Sequence, residues 1–165
     1  SDYKGGKLRS PTDFCIGAAA YPELPDEGQR LEFFKAKVLA GAEYGITDML
    51  FDPESYARFL DLCAKGGVQV PILPGTRLLK TQKQARKMAE KFRVQVPKET
   101  LAKLPEEDSP DAVSRGVDLF LKLVERLRAL GAPGVHLFVI SDTLGASEAL
   151  KKLRTAGATV APEKT

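Results

Sequence analysis

The sequence contains no tryptophan, one histidine and two cysteines among its 165 residues, and these low counts exclude several classes of protein. One histidine and two widely separated cysteines cannot supply the ligands of a structural zinc site. Cys15 and Cys63 each lie in an apolar stretch. We therefore expect two buried free thiols in a reducing compartment, with a disulfide or a reactive thiol as the alternatives.

Long apolar runs and a strong charge of one sign are also missing. No apolar stretch approaches the roughly 20 residues that a transmembrane helix needs. Lys and Arg total 25 against 22 Asp and Glu, and aromatic residues make up 7%. This composition lacks the basic stripe with stacking aromatics that is typical of nucleic-acid binders. We expect neither a membrane span nor a nucleic-acid partner.

The first residues carry neither an initiator methionine nor an apolar leader segment. The chain begins Ser1-Asp2-Tyr3-Lys4, which we interpret as a cut or processed start without a signal peptide. Together with the expected free thiols, this predicts a soluble protein of the cytoplasm or the mitochondrial matrix.

Short apolar runs alternate with segments of helical periodicity along most of the chain. The run Phe14–Ala20 is typical of a strand buried on both faces of a parallel sheet. Helix signals follow each run, such as Asp52-Pro53 at a start and Gly66-Gly67 at an end. The predicted strands are 14–20, 46–51, 68–73 and 135–140, and the predicted helices are 27–42, 53–65, 81–92, 97–104, 109–130 and 144–154.

Apolar spacing also predicts which helix faces are buried. The longest helix carries a continuous apolar stripe, and the last helix carries three leucines on one side. The predicted buried residues of these two helices are Val113, Val117, Phe120, Val124 and Leu127, then Leu144, Leu150 and Leu153.

Four strand–helix units in succession predict a parallel α/β layer spanning residues 13–156. Residues 1–12 are then a lead segment and 157–165 a polar, frayed tail. Two closures are compatible with this pattern. The units form either a small open flavodoxin-like sheet or half of an eight-stranded (β/α) barrel, and periodicity does not distinguish the two.

Five segments in order resemble the methylenetetrahydrofolate reductase family, the flavin enzymes that make 5-methyltetrahydrofolate. The resemblance extends from about Thr12 to Leu153. Each motif alone is weak, and the ordered set is specific. The segments are Phe14–Glu23, Lys35–Ala42, Ile46–Asp52, Pro71–Gly75 and Gly134–Phe138.

The resemblance implies an eight-stranded barrel that holds FAD and reduces 5,10-methylenetetrahydrofolate with NAD(P)H. This chain would supply only the last four strand–helix units. The family's opening half carries an acidic residue used in substrate activation and part of the flavin site, and no segment here replaces them. A protein partner or second chain that completes the barrel is therefore implied.

The same resemblance implies four site residues. Tyr21 and Lys37 match positions that contact the flavin cofactor, and Asp48 and Gln84 match positions that contact the folate substrate. Each also has a simpler interpretation: Tyr21 covers a strand end, Lys37 is a solvated lysine, and Gln84 completes the capping box that Thr81 begins.

The chain departs from the family pattern at several positions. Asp48 stands where the family has glutamine, and an ionised carboxylate accepts hydrogen bonds but cannot donate them. Asp142 stands where the family has an arginine that faces the folate glutamate. The loop Leu24–Glu27 is short and lacks a cofactor-contacting histidine, and Arg30 falls where the family has an aspartate. His136 matches a family histidine but is expected to be a core residue.

A basic stretch lies between the third strand and the fourth. It could guide a polyanion such as a polyglutamate tail, although a solvated helix face is the simpler interpretation. The basic residues are Arg77, Lys80, Lys83, Arg86, Lys87, Lys91 and Arg93.

We therefore expect a reductase-like half-barrel that is not catalytic on its own and serves as a structural or assembly subunit. The alternative is the C-terminal part of an active FAD-dependent reductase, and a third option is an independent binding module. No residue is assigned a catalytic role and no metal ligand is predicted.

Overall fold

The computed structural model describes Gly6, residues 13–140 and residues 143–157. Within this part of the chain, strands and helices alternate as the apolar pattern predicts. The strands are β1 (Gly17–Ala20), β2 (Tyr44–Met49), β3 (Ile72–Thr76) and β4 (His136–Leu137). The helices are α1 (Glu27–Leu39), α2 (Pro53–Lys65), α3 (Gln82–Phe92), α4 (Lys98–Leu101), α5 (Ala112–Ala129) and α6 (Thr143–Thr155).

The four strands form one parallel sheet in the order β1-β2-β3-β4. A flavodoxin-like sheet places its second strand outside the first, in the order 2-1-3-4-5. Strands that follow each other both in sequence and in space are the arrangement of a (β/α) barrel. The fold is therefore four strand–helix units of barrel type, and the flavodoxin-like alternative is excluded.

Three helices begin where a side chain accepts a hydrogen bond from the first turn. Asp26 caps α1 through the amide of Gln29, and Asp52 caps α2 through the amide of Glu54, both at 3.0 Å. Thr81 caps α3 in the same way. The caps at Asp52 and Thr81 are the ones that the sequence predicts, because Asp and Thr satisfy amides that lack a partner within the helix. The cap at Asp26 was not predicted, although the start of its helix was.

The core lies between the sheet and the helices that follow its first three strands. Phe34 of α1 and Phe59 of α2 pack with ring centroids 5.9 Å apart. The buried Tyr56 hydroxyl donates to the Ile72 carbonyl of β3 at 2.8 Å, which ties α2 to the sheet. The predicted stripe of α5 is confirmed: Val117, Phe120, Val124 and Leu127 are buried and Val113 is half-buried.

The prediction that the first strand is buried on both faces is wrong. Phe14 and Ile16 are 78% and 54% exposed, and Cys15 is exposed as well. The reason is position, because β1 pairs with β2 alone among the described strands and so lies at an edge of the sheet. Cys63 is buried as expected, and burial raises the pKa of its thiol to about 11.

Two further expectations need correction. β3 begins at Ile72, not at residue 68, and includes Pro74 and Gly75. On α6 the predicted leucine face is not the buried one, since Leu144 is 81% and Leu150 38% exposed. The buried residues of α6 are Gly145, Ala146 and Ala149. Small side chains allow this helix to approach α5 closely.

Two absences hold for residues 13–140 and 143–157. None of their helices is long and apolar enough to cross a membrane. They also contain no group of three or more His, Cys, Asp or Glu side chains that could hold a metal ion. The predicted polar tail lies outside the described residues beyond Gly157.

Removing the Tyr56 hydroxyl tests the link between α2 and β3. In Tyr56→Phe the buried Ile72 carbonyl loses its donor, and we expect the free energy of unfolding to fall by about 1–3 kcal/mol in a urea titration. Tyr44→Phe is the matched control, because the Tyr44 hydroxyl forms no hydrogen bond within the described residues. Equal losses in the two variants would contradict the assignment.

Candidate functional site

A cavity of about 320 Å³ lies where β1 and β2 end. It is lined by residues 21–25, 48–50 and 92–94, and we refer to it as the Tyr21 cavity. Parallel strands of a barrel present their carboxyl ends at one face, and the loops that follow them build the active sites of barrel enzymes. Of the four predicted site residues, Tyr21 and Asp48 line this cavity.

Tyr21 and Lys37 are in contact with each other. The Lys37 ammonium donates to the carbonyl of Ala19 at 2.8 Å and lies 4.9 Å from the centre of the Tyr21 ring. This is cation–π distance. Lys37 is therefore held against the end of β1, unlike the freely solvated lysine of the simpler interpretation. Tyr21 is 40% exposed, and its ring and the Lys37 ammonium together offer a flat surface beside a positive charge.

Asp48 lies at an irregularity in the pairing of β2 with β3, between Ile46 and Met49. Its Oδ1 accepts a hydrogen bond from the amide of Met49 at 2.7 Å. The neighbouring Thr47 hydroxyl accepts from the amide of Gly75 and donates to the carbonyl of Asp48, each at 2.8 Å. The half-buried Asp48 carboxylate is thus fixed at the strand end by backbone contacts, as an acceptor facing the Tyr21 cavity.

Gln84 lies in a different depression from Asp48. This shallow surface is lined by residues 80–81, 83–84 and 107–108. The backbone N–H of Gln84 donates a hydrogen bond to Thr81 Oγ1 at 3.1 Å. The side-chain Oε1 of Gln84 accepts a hydrogen bond from the backbone N–H of Lys80 at 2.8 Å. Thr81 therefore caps the helix as predicted, but the Gln84 side chain bonds to the amide one residue before the cap, so the reciprocal half of the capping box is not formed. The side-chain carbonyl oxygen of Gln84 is already used.

Glu23 is a site residue that sequence reasoning did not single out. Its Oε2 accepts from the amide of Gln95 at 2.7 Å, which ties the loop after β1 to the segment after α3. Its Oε1 is buried and has no hydrogen-bond partner within the described residues. Burial raises the pKa of this carboxyl, and the Gln95 amide partly opposes that effect. The sequence motif Tyr21-Pro22-Glu23 is the signal from which Glu23 could have been predicted as a site residue.

Two arginines also shape the cavity. Arg30 donates to the carbonyls of Leu24 and Pro25, so in this chain it holds the short loop after β1 in place. Arg93 ends α3 with φ of 53°, a left-handed conformation that is uncommon outside glycine. Arg93 lines the Tyr21 cavity and, among the residues that the structure describes, is the only cationic one to do so.

The remaining candidates lie elsewhere. His136 is half-buried on β4, and its ring centroid lies 4.5 Å from that of Phe138 in a T-shaped arrangement. The expectation of a core residue is therefore not met. Asp142 lies outside the described residues. In the basic stretch, Lys83 and Arg86 form ion pairs with Glu107 and Glu106. Those acids neutralise part of the positive surface that a polyanion would need.

A sequential parallel sheet with a cavity at the carboxyl ends of its strands is the architecture of the (β/α) barrel enzymes. Within that class, the model of the methylenetetrahydrofolate reductase family matches residues 7–154. The chain belongs to the methylenetetrahydrofolate reductase family.

Curated relatives bear the same name. The 5,10-methylenetetrahydrofolate reductase of Salmonella typhimurium is 34% identical over 143 residues, which is 82% of this chain and 48% of the relative. The enzyme of that name from Escherichia coli is 34% identical, over 81% of this chain and 47% of the relative. A Caenorhabditis elegans protein named probable methylenetetrahydrofolate reductase (NADPH) is 31% identical over 85% of this chain and 22% of its own length. The chain spans about half the length of the bacterial relatives.

The pH dependence of stability tests the environment of Glu23. Because its native pKa lies above the ordinary value of 4.5, its contribution to stability is largest below about pH 4.5 and is lost as pH rises through the native pKa. Glu23→Gln cannot ionise, so we expect it to flatten this part of the profile in urea titrations between about pH 4 and 7. The exposed Glu90→Gln is the control, and an unchanged slope in Glu23→Gln would contradict the analysis.

Proposed function

We propose that this chain serves as a half-barrel assembly subunit of the reductase family and is not catalytic on its own. The observation that carries the proposal is the exposure of apolar side chains at both ends of the sheet. Beside β1 these are Phe14 and Ile16, and after β4 they are Val139 and Ile140, at 47% and 61% exposed. We call these two surfaces the β1 edge and the β4 edge.

Both edges have the character of surfaces that pack against protein. An edge strand presents unpaired backbone groups as well as side chains, and natural proteins cover or block such edges. A sheet edge that is blocked against pairing carries charged side chains or proline. These two edges carry bulky apolar residues instead. Four further units of the same kind would pair with β1 on one side and β4 on the other, and would bury all four side chains. These units could belong to the same polypeptide or to a second one.

The second candidate function is that the completed barrel is an FAD-dependent reductase of 5,10-methylenetetrahydrofolate. The contact between Tyr21 and Lys37 favours it, because an exposed ring and an adjacent ammonium fit a flat cofactor that carries negative charge. When bound, FAD would supply hydride acceptance and donation. This chain's residues would hold and orient it: Tyr21 through its ring face, and Lys37 through charge and by supporting that ring.

Asp48 limits what substrate the Tyr21 cavity would accept. A carboxylate can only receive hydrogen bonds, so it would favour the N–H donors of a folate ring or of a carboxamide and would repel a second carboxylate. Arg93 is the cation available at the same cavity to face a negatively charged substituent. The folate contact proposed for Gln84 would be restricted to its side-chain amide nitrogen, because its oxygen accepts from the Lys80 amide.

Blocking either edge tests the assembly proposal. Co-production with the opening half of the Escherichia coli reductase should yield a complex that elutes as one species in size-exclusion chromatography. We expect Phe14→Asp or Ile140→Asp to abolish co-elution, because each buries a charge at the new interface. Ala64→Asp adds the same charge to the exposed side of α2 and should leave the complex intact. Co-elution that survives both edge substitutions would refute the proposal.

Flavin uptake by the same complex separates the two candidate functions. The reductase function predicts a flavin absorption spectrum and oxidation of NAD(P)H, and Lys37→Met should weaken FAD binding by about tenfold through loss of one charge-assisted contact. Lys35→Met is the control on the same helix, since Lys35 donates to the carbonyl of Gly66. A colourless complex that takes up no FAD would rule out the reductase function and leave only the assembly function.

A further inference from the structure

A second cavity, of about 210 Å³, lies on the helical side of the sheet between α2, α4 and α5. Its apolar residues include Phe51, Leu79 and Phe120, all buried against the core. We call it the α5 cleft. In the chain, α2 comes after β2 and α5 comes after β3, and these are the two central strands of the sheet. The cleft is therefore separate from both the β1 edge and the β4 edge. The Tyr21 cavity shares none of its lining residues.

The walls of the α5 cleft are fixed by close packing. A Cβ atom at Gly116 of α5 would lie 2.4 Å from the carbonyl oxygen of Leu79, so glycine is required for this approach. The ion pair between Arg126 and Glu54, at 2.8 Å, joins α5 to the start of α2 beside the cleft. The cleft is therefore a preformed feature of the helix layer.

Positive charge dominates the polar residues that line the α5 cleft. Within the described residues, Lys103 and Lys122 form no ion pair. Arg77 forms none either, and its one hydrogen bond there goes to the sulfur of Met88, at 3.4 Å. Glu99 is the one acidic residue in the lining. Arg126 is already matched by Glu54. Three unmatched cations against one carboxylate leave an excess of two positive charges around an apolar floor.

We propose that the α5 cleft is a binding site for a small amphiphilic anion, a molecule with a flat apolar body and one carboxylate or phosphate group. The apolar floor would bury the body, and the lysines and Arg77 would face the anionic group. Charge-assisted hydrogen bonds of this kind are stronger than neutral ones. The volume lies below the roughly 300–1,000 Å³ of sites for drug-sized ligands, which limits the body to about one or two rings.

Titration of the purified chain, in the native assembly that it forms, with 2-naphthoate and with 2-naphthyl phosphate tests the site. Amide shifts in ¹H–¹⁵N spectra should saturate and should map to α4, α5 and residues 77–79. Binding of either probe supports the proposal, and the tighter probe identifies the anionic group. Uncharged 2-naphthalenemethanol should bind about tenfold more weakly than the tighter probe, because it lacks the charge.

Matched charge reversals separate this site from other apolar surfaces. We expect Lys122→Glu to weaken binding of the tighter probe about tenfold, while Lys87→Glu, on the exposed face of α3, leaves it unchanged. Leu119→Trp should fill the cleft and abolish binding. The proposal is overturned if the shifts map to the β1 or β4 edge, if Lys122→Glu and Lys87→Glu behave alike, or if no probe binds. None of these outcomes depends on flavin or on turnover.

Discussion

Backbone pairing in a parallel sheet is the constraint on which the rest of this structure depends. An edge strand of such a sheet leaves backbone groups unpaired, and a barrel removes its edges by closing on itself. In the described part of the chain, β2 and β3 have two neighbours each, whereas β1 and β4 have one. Apolar side chains lie exposed beside those two strands, and these are the surfaces at which we propose that further strands continue the sheet.

The position of the cavities follows from the same constraint. The Tyr21 cavity lies at the carboxyl ends of β1 and β2, where a completed barrel would enclose it from the other side. Tyr21 and Lys37 already touch, so the flavin contact that we propose for them needs no rearrangement of these two side chains. The α5 cleft lies among the helices and needs no completion. If both proposals hold, the half-barrel combines an incomplete site at the strand ends with a complete site among the helices.

Local chemistry made much of the fold predictable from sequence. The caps at Asp52 and Thr81 were predictable because a cap needs only a few neighbouring residues. The apolar stripe of α5 was predictable because its apolar residues recur at the spacing of helical turns. Exposure of Phe14 was not, because its apolar run looks the same at an edge as in the centre of a sheet. The face of α6 was missed because small residues bury against α5 where leucines were expected.

The site was predictable only in part. Tyr21, Lys37, Asp48 and Gln84 came from family resemblance, and their roles remain predictions, while the contacts that hold them are visible only in three dimensions. Glu23 bonds to Gln95, 72 residues further along the chain, and no local pattern reports such a contact. Arg93 was noticed as part of a basic stretch, but its left-handed backbone and its place at the cavity depend on how α3 ends.

The native mass of the purified chain tests the central claim most directly, because an unfinished barrel should not be stable with its edges open to water. We predict that native mass spectrometry finds the chain in a complex, with a second copy or with another polypeptide, at a mass above 17.9 kDa. A monodisperse 17.9 kDa monomer that unfolds cooperatively and with high stability would contradict the account.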